Sequence, residues 1–318
     1  MDPFAGIFLT LAFLADVLSG APGTQAELQQ KAEAAMRTDI KEINHRLVQL
    51  GAGGIFQFEL AWGPVVYQAP GSNVADNVMY VVRNTKNPGQ YTVGIAGTNF
   101  KSSFDWLVED GLVSWTVPWH SGQPSAGRIA LGTATGLSIL QSLTAVPHVG
   151  GTTQSVDVMT YLGQQIGGGD GSVYVTGHSL GGALSPVFGL WLDENKASWG
   201  PKADVNVYLF AGPTPGDQTF ASYYKGRLGG TTHSHWNAND VVPHAWSQQT
   251  APNLSQMPGL YEDFPADAKV TPGPVINGLI GVLEAISQGT DYTAVSSAPA
   301  TFNTPDVNAD VTSCKSNL

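Results

Sequence analysis

The residues with the clearest capacity for chemistry are those of the pentapeptide Gly177-His178-Ser179-Leu180-Gly181. The apolar run 172–176 before it predicts a buried strand, and the apolar segment 182–192 after it predicts a helix. A serine on such a tight turn, with glycines keeping other side chains clear, exposes its hydroxyl for nucleophilic attack. The pattern therefore predicts Ser179 as a nucleophile. The alternative is a glycine-rich turn with an incidental serine.

The surrounding elements alternate between the two periods of regular structure. Further strands are predicted at 78–82, 91–96 and 205–210, and further helices at 26–50, 127–145, 153–166 and 275–286. The apolar stripe of the helix at 26–50 runs from Leu28 to Leu50. Strands that alternate with helices predict one mostly parallel sheet with helices on both faces. We expect a single domain over residues 1–318.

The first 50 residues predict a helical N-terminal segment. Phe4 to Leu18 is apolar with helical spacing, but no basic residue precedes it and Asp16 interrupts its end. A packed helix is therefore favoured over a cleaved signal peptide. The stretch is shorter than the roughly 20 residues that span a bilayer, so no transmembrane segment is expected. The compartment is left open, secretion included.

Composition excludes several function classes. The net charge of −11 argues against binding of the nucleic-acid phosphate backbone, which requires clustered Lys and Arg. The single cysteine, Cys314, excludes an internal disulfide and a cysteine-based metal site. Nucleophilic catalysis by a serine needs no metal or organic cofactor, and none is expected.

Several segments together resemble the class 3 lipases, the fungal-lipase-like branch of the α/β hydrolases. The resemblance covers roughly residues 78–245 and is carried, in chain order, by IAGT (95–98), SFDWLVED (103–110), HSG (120–122), GHSLGGAL (177–184), FAGP (210–213) and NANDVVP (237–243). It implies the α/β-hydrolase fold, with a lid segment. One departure is Ala96, because the family often has an arginine there that forms a supporting salt bridge.

The resemblance also implies roles around Ser179. The oxyanion donors would be the N–H of Leu180 and that of Thr98, whose hydroxyl could add a further donor. The alternative for Thr98 is an ordinary β-branched strand end. Asp240 is the candidate acid, because this fold orders its catalytic residues as Ser, then Asp or Glu, then His. The alternative for Asp240 is a turn-capping aspartate.

The catalytic base is the open point of the sequence. The family places its histidine some tens of residues after the aspartate, whereas only His244 follows Asp240, four residues later. Elimination therefore leaves His244 as the candidate base. Two alternatives stay open: the proper histidine lies on sequence missing from this end, or the chain is a weakened or inactive hydrolase.

Aromatic and aliphatic residues crowd the segment 102–119, which predicts an apolar lid and acyl-binding rim. They are Trp106, Leu107, Leu112, Val113, Trp115, Val117 and Trp119. This rim favours a lipid or other acyl ester as substrate and a transient contact with a lipid interface. The alternative is ordinary core packing of these residues.

The sequence therefore predicts a serine carboxylester hydrolase, lipase-like, that acts on triacylglycerol or related lipids. A phospholipase or acyltransferase would use the same machinery. A lipid-binding, hydrolase-like protein with impaired catalysis is the third hypothesis, because no histidine occupies the late position.

Overall fold

A computed structural model describes residues 4–97, 114–150, 152–237, 240, 242–247, 253, 256, 281, 290–296 and 300–301. Several predictions fall outside these residues. They concern Thr98, the segment 102–113 of the predicted lid, nearly all of the predicted helix at 275–286, and Cys314.

The described strands form one central sheet and two short ribbons. In the central sheet the order is β1-β2-β3-β8-β9-β10-β11; β1 to β3 pair antiparallel, and every later pairing, from β3–β8 to β10–β11, is parallel. The strands are β1 (Phe58–Tyr67), β2 (Asn77–Asn84), β3 (Gln90–Ile95), β4 (Thr116–Pro118), β5 (Arg128–Ala130), β6 (Thr144–Ala145), β7 (Val156–Asp157), β8 (Ser172–His178), β9 (Asp204–Phe210), β10 (Thr232–Trp236) and β11 (Ala300–Thr301). The prediction of a mostly parallel sheet is confirmed.

Helices cover both faces of this sheet, as predicted. They are α1 (Ala5–Leu14), α2 (Gln25–Gln49), α3 (Leu131–Ser142), α4 (Val158–Ile166), α5 (Leu180–Glu194), α6 (Lys196–Trp199) and α7 (Gln218–Leu228). The apolar side chains of α1 and α2 form one core with one face of the sheet, and those of α3, α4, α5 and α7 form a second core with the other. Burial of both faces explains why apolar residues occur at successive positions of the central strands rather than only at alternate ones.

The start of α2 and the packing of α1 both follow from particular residues of their sequences. Thr24 and Glu27 form a reciprocal capping box at the start of α2, with the Glu27 carboxylate accepting the Thr24 N–H at 2.9 Å. In α1, the ring of Phe8 stacks on Tyr208 at 4.1 Å and on Tyr174 at 4.7 Å. The packed N-terminal helix is therefore present, and it lies directly on β8 and β9.

Three of the predicted helices differ from the structure in their bounds or in a buried contact. The segment predicted as a helix at 127–145 begins with strand β5, and its helix, α3, covers only Leu131–Ser142. The helix predicted at 153–166 begins at Val158, because Asp157 caps it by accepting the Thr160 N–H at 2.9 Å. Leu50 lies past the end of α2 and is 80% exposed, so it does not belong to the buried stripe.

Candidate functional site

Ser179 lies at the junction between β8 and α5, where the backbone turns sharply. Its dihedral angles are φ 57° and ψ −123°, in a region that non-glycine residues rarely adopt. Such a conformation costs about 1–3 kcal/mol and persists only when the surroundings impose it. The Ser179 N–H donates to the carbonyl of Phe210 on the adjacent strand at 3.0 Å. The predicted strand–turn–helix setting of the serine is therefore present.

Two glycines make this turn possible. A Cβ on Gly177 would lie 2.3 Å from the carbonyl oxygen of Gly181, and a Cβ on Gly181 would lie 2.4 Å from the carbonyl oxygen of Ile95. Both obstacles are backbone atoms, which cannot move aside as a side chain would. The glycines of the pentapeptide are thus required by close backbone approach, and the end of β3 presses directly on the start of α5.

The first residue of α5 is Leu180, so its N–H begins the helix and has no acceptor within it. Free N–H groups and the positive end of the helix dipole are suited to hold a developing negative charge. On the other side of the serine, a Cβ on Gly97 would lie 3.5 Å from the Ser179 Cβ. The end of β3 therefore lies directly against Ser179. Thr98, the second predicted donor, follows Gly97 but lies outside the described residues.

Asp240 follows β10 on the same edge of the sheet as Ser179, since β8, β9 and β10 are parallel neighbours. Its Oδ1 accepts the Val242 N–H at 2.9 Å. Burial raises the pKa of the Asp240 carboxyl, while this hydrogen bond and the nearby rings of His178 and His244 act to lower it. A partly buried carboxylate close to two imidazoles can stabilise a positive charge that forms on either ring.

His244 ends a short 3-10 helix, Val242–His244, and is only 4% exposed. Its Nδ1 lies 2.9 Å from the main-chain carbonyl oxygen of Asp240. A carbonyl only accepts, so Nδ1 carries the proton and Nε2 keeps its lone pair. Burial lowers the pKa of His244 below its ordinary value of 6.5. His244 is thus a neutral imidazole at neutral pH, with the tautomer that a general base needs.

The structure does not complete a hydrogen-bonded triad. Among the residues it describes, no histidine makes a hydrogen bond to the Ser179 hydroxyl, and the His244 ring is held by the main chain of Asp240 rather than by its carboxylate. Catalytic hydrogen bonds are often long or absent before substrate binds. The geometry therefore brings Ser179, Asp240 and His244 to one sheet edge without joining all three.

The other histidines have different surroundings. His120 Nε2 lies 2.9 Å from Glu194 Oε1, and His148 Nε2 lies 2.7 Å from the Gly63 carbonyl oxygen. His45 contacts Gln49 on the same helix. His233 and His235 lie on β10 and stack against Tyr208 at 4.3 and 6.3 Å.

His178, beside the nucleophile, packs toward the N-terminal helix. Its ring lies 4.6 Å from that of Phe13, and its Nδ1 lies 4.0 Å from Oδ2 of Asp16. Asp16 also accepts the Gly97 N–H at 2.9 Å. In the sequence, Asp16 stands out only as an interruption of an apolar stretch. The available signal was an ionisable residue at the end of a helix that is otherwise apolar.

In the described part of the predicted lid segment, one tryptophan side chain lies at the surface and another lies in the core. Trp115 is 69% exposed, whereas the Trp119 indole packs 5.4 Å from the Phe220 ring and donates to the Glu194 carboxylate. Glu194 is the last residue of α5, about 20 Å along the helix from Ser179. Trp119 thus belongs to the core at the far end of α5, and Trp115 is available for contact with a partner surface.

Neither a metal site nor a membrane span is found in the described parts of the chain. No cluster of three or more His, Cys, Asp or Glu side chains suited to a metal ion occurs there. No helix within those parts is both long enough and apolar enough to cross a bilayer.

Comparisons with known proteins agree with this geometry. Residues 93–250 match the sequence profile of the family described as lipase (class 3). Lipases of Rhizopus niveus and Rhizopus oryzae are each 38% identical to this chain over 72 residues, or 23% of it. That stretch is 18% of each of those relatives, so the chain matches under a fifth of the length of its curated relatives.

Solved structures extend the likeness to most of the chain. M37 lipase superposes with a TM-score of 0.77 at 28% identity, over 94% of this chain and 85% of that one. Lipase II from Rhizopus niveus gives a TM-score of 0.50 at 18% identity, over 80% and 77%, which is a likeness of fold alone. The predicted resemblance to class 3 lipases and the predicted α/β-hydrolase fold are both confirmed.

Proposed function

We propose that this chain, which carries the class 3 lipase signature over residues 93–250, is a serine hydrolase that cleaves carboxylic esters of acyl chains, triacylglycerols or related lipids. The observation that carries the proposal is the strained Ser179, held at φ 57° between a buried strand and a helix start. A conformation that costs free energy and exposes a hydroxyl at a helix N-terminus is typical of a nucleophile.

In the proposed mechanism, Ser179 Oγ attacks the ester carbonyl carbon and its proton passes to the base. The carbonyl oxygen becomes an oxyanion, stabilised by the Leu180 N–H and by Thr98. Collapse of this intermediate expels the alcohol, which takes the proton from the base, and leaves an acyl group on Ser179. Water then attacks the acyl-enzyme by the same route, releasing the fatty acid and restoring the serine.

His244 is the proposed base, and Asp240 is its proposed partner. The support is the protonated Nδ1 of His244, which leaves Nε2 as an acceptor, and the burial that keeps the ring neutral at neutral pH. The Asp240 carboxylate would stabilise the imidazolium formed after proton transfer. A histidine elsewhere in the protein is the competing assignment.

A second candidate function is lipid binding by a hydrolase-like protein with impaired catalysis. The observation that favours it is that no described histidine makes a hydrogen bond to the Ser179 hydroxyl. Loss of one triad member leaves only about 10³–10⁴-fold catalysis over water. A phospholipase or acyltransferase would differ from the main proposal only in its products, which a lipid-product assay separates.

Ester hydrolysis by variants of the full chain tests these proposals. We expect Ser179→Ala to abolish turnover of a soluble short-chain ester and His244→Ala to lower kcat/KM by about 10³-fold or more. His45→Ala, which removes an exposed histidine of α2, is the matched control and should match the wild type. Full activity in His244→Ala would overturn His244 as base, and inactivity of the wild type would favour the lipid-binding alternative.

The pH profile sharpens the assignment of the base. A base must be neutral to accept the serine proton, and burial lowers the pKa of His244 from 6.5. We therefore expect kcat/KM to fall only as the pH drops below 6.5. A descending acidic limb centred clearly above that value would contradict His244.

Contact with a lipid interface is proposed for the lid segment. Support comes from the exposed Trp115 at its described end. We expect the hydrolysis rate to rise steeply once the substrate exceeds its solubility. A steady rate across that limit would count against lid activation.

A further inference from the structure

Asp16 connects the N-terminal helix to the two chain segments that meet at Ser179. It follows α1 by two residues, and its side chain is 20% exposed. Its Oδ1 accepts the Gly97 N–H at 2.9 Å, and its Oδ2 lies 4.0 Å from Nδ1 of His178. One carboxyl group therefore contacts the end of β3 and the end of β8 at once.

Both contacts lie directly against the nucleophile. His178 precedes Ser179, and the backbone of Gly97 is so close that a Cβ there would lie 2.9 Å from the His178 carbonyl oxygen. The same Cβ would lie 3.5 Å from the Cβ of Ser179. A shift of Gly97 would therefore change the space beside the serine, where the ester carbonyl must sit.

Attachment of α1 does not require this carboxyl group. The helix is already held by the Thr176 hydroxyl, which donates to the Phe8 carbonyl at 3.1 Å, and by the Tyr80 hydroxyl, which donates to the Leu11 carbonyl at 2.5 Å. The stacked ring of Phe8 adds apolar contact. Asp16, in contrast, destabilises the fold when ionised, because burial raises its pKa to about 7. The position of this buried carboxyl group against Gly97 and His178 therefore indicates a role in the site rather than in attachment of the helix.

We propose that Asp16 is a positioning residue for the ester hydrolysis proposed above. By accepting the Gly97 N–H and bordering the His178 ring, it fixes the end of β3 against the nucleophile elbow, the turn at residues 177–181 that carries Ser179. The inference rests on that proposed function. Asp16 touches neither substrate nor reacting atoms, and it acts through Gly97 and His178.

Two substitutions at this position separate shape from hydrogen bonding. Asp16→Leu keeps the branched shape but removes the acceptor for the Gly97 N–H, whereas Asp16→Asn keeps an acceptor oxygen. We expect Asp16→Leu to lower kcat for a soluble ester by about tenfold to a hundredfold, as small misplacements in active sites do, with KM changed less than about threefold. Asp16→Asn should retain kcat within about threefold of the wild type.

Thr176→Val is the matched structural control. It also removes a hydrogen bond between α1 and the sheet, but one that lies away from Ser179. We expect it to lower Tm without lowering the kcat of the folded protein. If Asp16→Leu and Thr176→Val lowered Tm to the same extent and neither of them lowered kcat, Asp16 would have only a structural role. That result would overturn the inference.

The outcomes also distinguish this inference from the function on which it rests. An active wild type whose kcat is matched by Asp16→Leu overturns the inference alone. A wild type that hydrolyses no ester overturns the proposed function and the inference together. Loss of kcat in Asp16→Leu with rescue in Asp16→Asn supports both.

Discussion

The nucleophile elbow and the loop that carries Asp240 and His244 lie at the same edge of the sheet but are held in different ways. The elbow is confined by backbone atoms of three strands and a helix, so that Gly177 and Gly181 have no room for a Cβ. In the loop that carries Asp240 and His244, the described contacts include hydrogen bonds from Val242 and His244 to Asp240, and the His244 side chain is buried. The position of Ser179 thus depends on close backbone approach, whereas the orientation of the proposed base, His244, depends on a hydrogen bond to one main-chain oxygen.

The largest expected effect comes from a substitution in the tightly packed nucleophile elbow. Gly181→Ala would place a Cβ 2.4 Å from the Ile95 carbonyl oxygen and 2.9 Å from the Ala96 carbonyl carbon. Because backbone must move to admit it, we expect a loss of about 3 kcal/mol or more in the free energy of unfolding and loss of esterase activity. Urea denaturation and ester turnover measure the two effects.

Gly226→Ala is the control for that substitution. Gly226 lies within α7, and a Cβ there meets nothing within 4 Å. Alanine should stabilise the helix by about 0.5–1 kcal/mol and leave activity unchanged. Equal destabilisation by both alanines would contradict the account of the elbow.

The next largest effect is expected from a substitution in the loop that carries Asp240 and His244. In Asp240→Asn the main-chain carbonyl that holds His244 Nδ1 is retained and only the carboxylate charge is lost. If His244 is the base, its tautomer is preserved and kcat/KM should fall by only about 10–100-fold, equivalent to about 1.4–2.7 kcal/mol. A fall of about 10⁴-fold would show that the carboxylate orients a different histidine, as in the serine-protease triad.

A pH-dependent effect on stability is expected at Asp16. Burial raises its pKa from 3.8 to about 7, so the folded state is not penalised below about pH 4, loses stability as the pH rises from there to about 7, and carries the full penalty at higher pH. Asp16→Asn removes this penalty. Above pH 7 the free energy of unfolding of this variant should exceed that of the wild type by about 2–4 kcal/mol. The difference should shrink toward pH 4, as measured by denaturation at each pH.

The titratable groups around Asp16 do not change the sign of this pH dependence. Among the residues that the structure describes, His178 lies 4.0 Å from Asp16, Tyr80 interacts with it electrostatically, and Asp76 lines the same small cavity. Helix α1 itself carries no charged residue. They are present in both proteins, so their own titration largely cancels in the difference. Asp170→Asn, which removes an exposed carboxylate, is the control variant. A stability difference that is constant from pH 4 to 8 would contradict the assignment.

The smallest effect on activity is expected at the far end of α5. Glu194 accepts hydrogen bonds from Trp119 Nε1 at 3.1 Å and from the Tyr223 hydroxyl at 2.7 Å, besides its contact with His120. Glu194→Gln leaves one acceptor oxygen where two were present and should cost about 1–3 kcal/mol of stability. Turnover by the folded protein should stay within about twofold. A larger loss of turnover would show that the two ends of the helix are coupled.

Some elements of the fold could be predicted from the sequence, and others could not. The elbow was predictable, because its strand, turn and helix are local and each has its own periodic signal. Strand β1 was missed, since Gly63 and Pro64 interrupt it and its register shifts between Leu60 and Val65. The helix predicted from residue 127 began late, because the chain first pairs as β5 with β4. Pairing with a distant strand leaves no mark on local periodicity.

The candidate site was predictable in part. Ser179 and Leu180 followed from the motif, and Asp240 followed from the order of residues in the resembling family. The contact of Asp16 with Gly97 joins positions 81 residues apart, so no local pattern reveals it. The hydrogen bond of His244 to a main-chain oxygen was equally hidden, because it depends on the turn that follows Asp240.

The measurement that tests the central claim most directly is covalent labelling of the full chain by a fluorophosphonate, with the modified residue located by peptide mass mapping. We expect one adduct, on Ser179, in the wild type and none in Ser179→Ala. A wild type that forms no adduct, or an adduct that persists in Ser179→Ala, would contradict the assignment of Ser179 as the nucleophile.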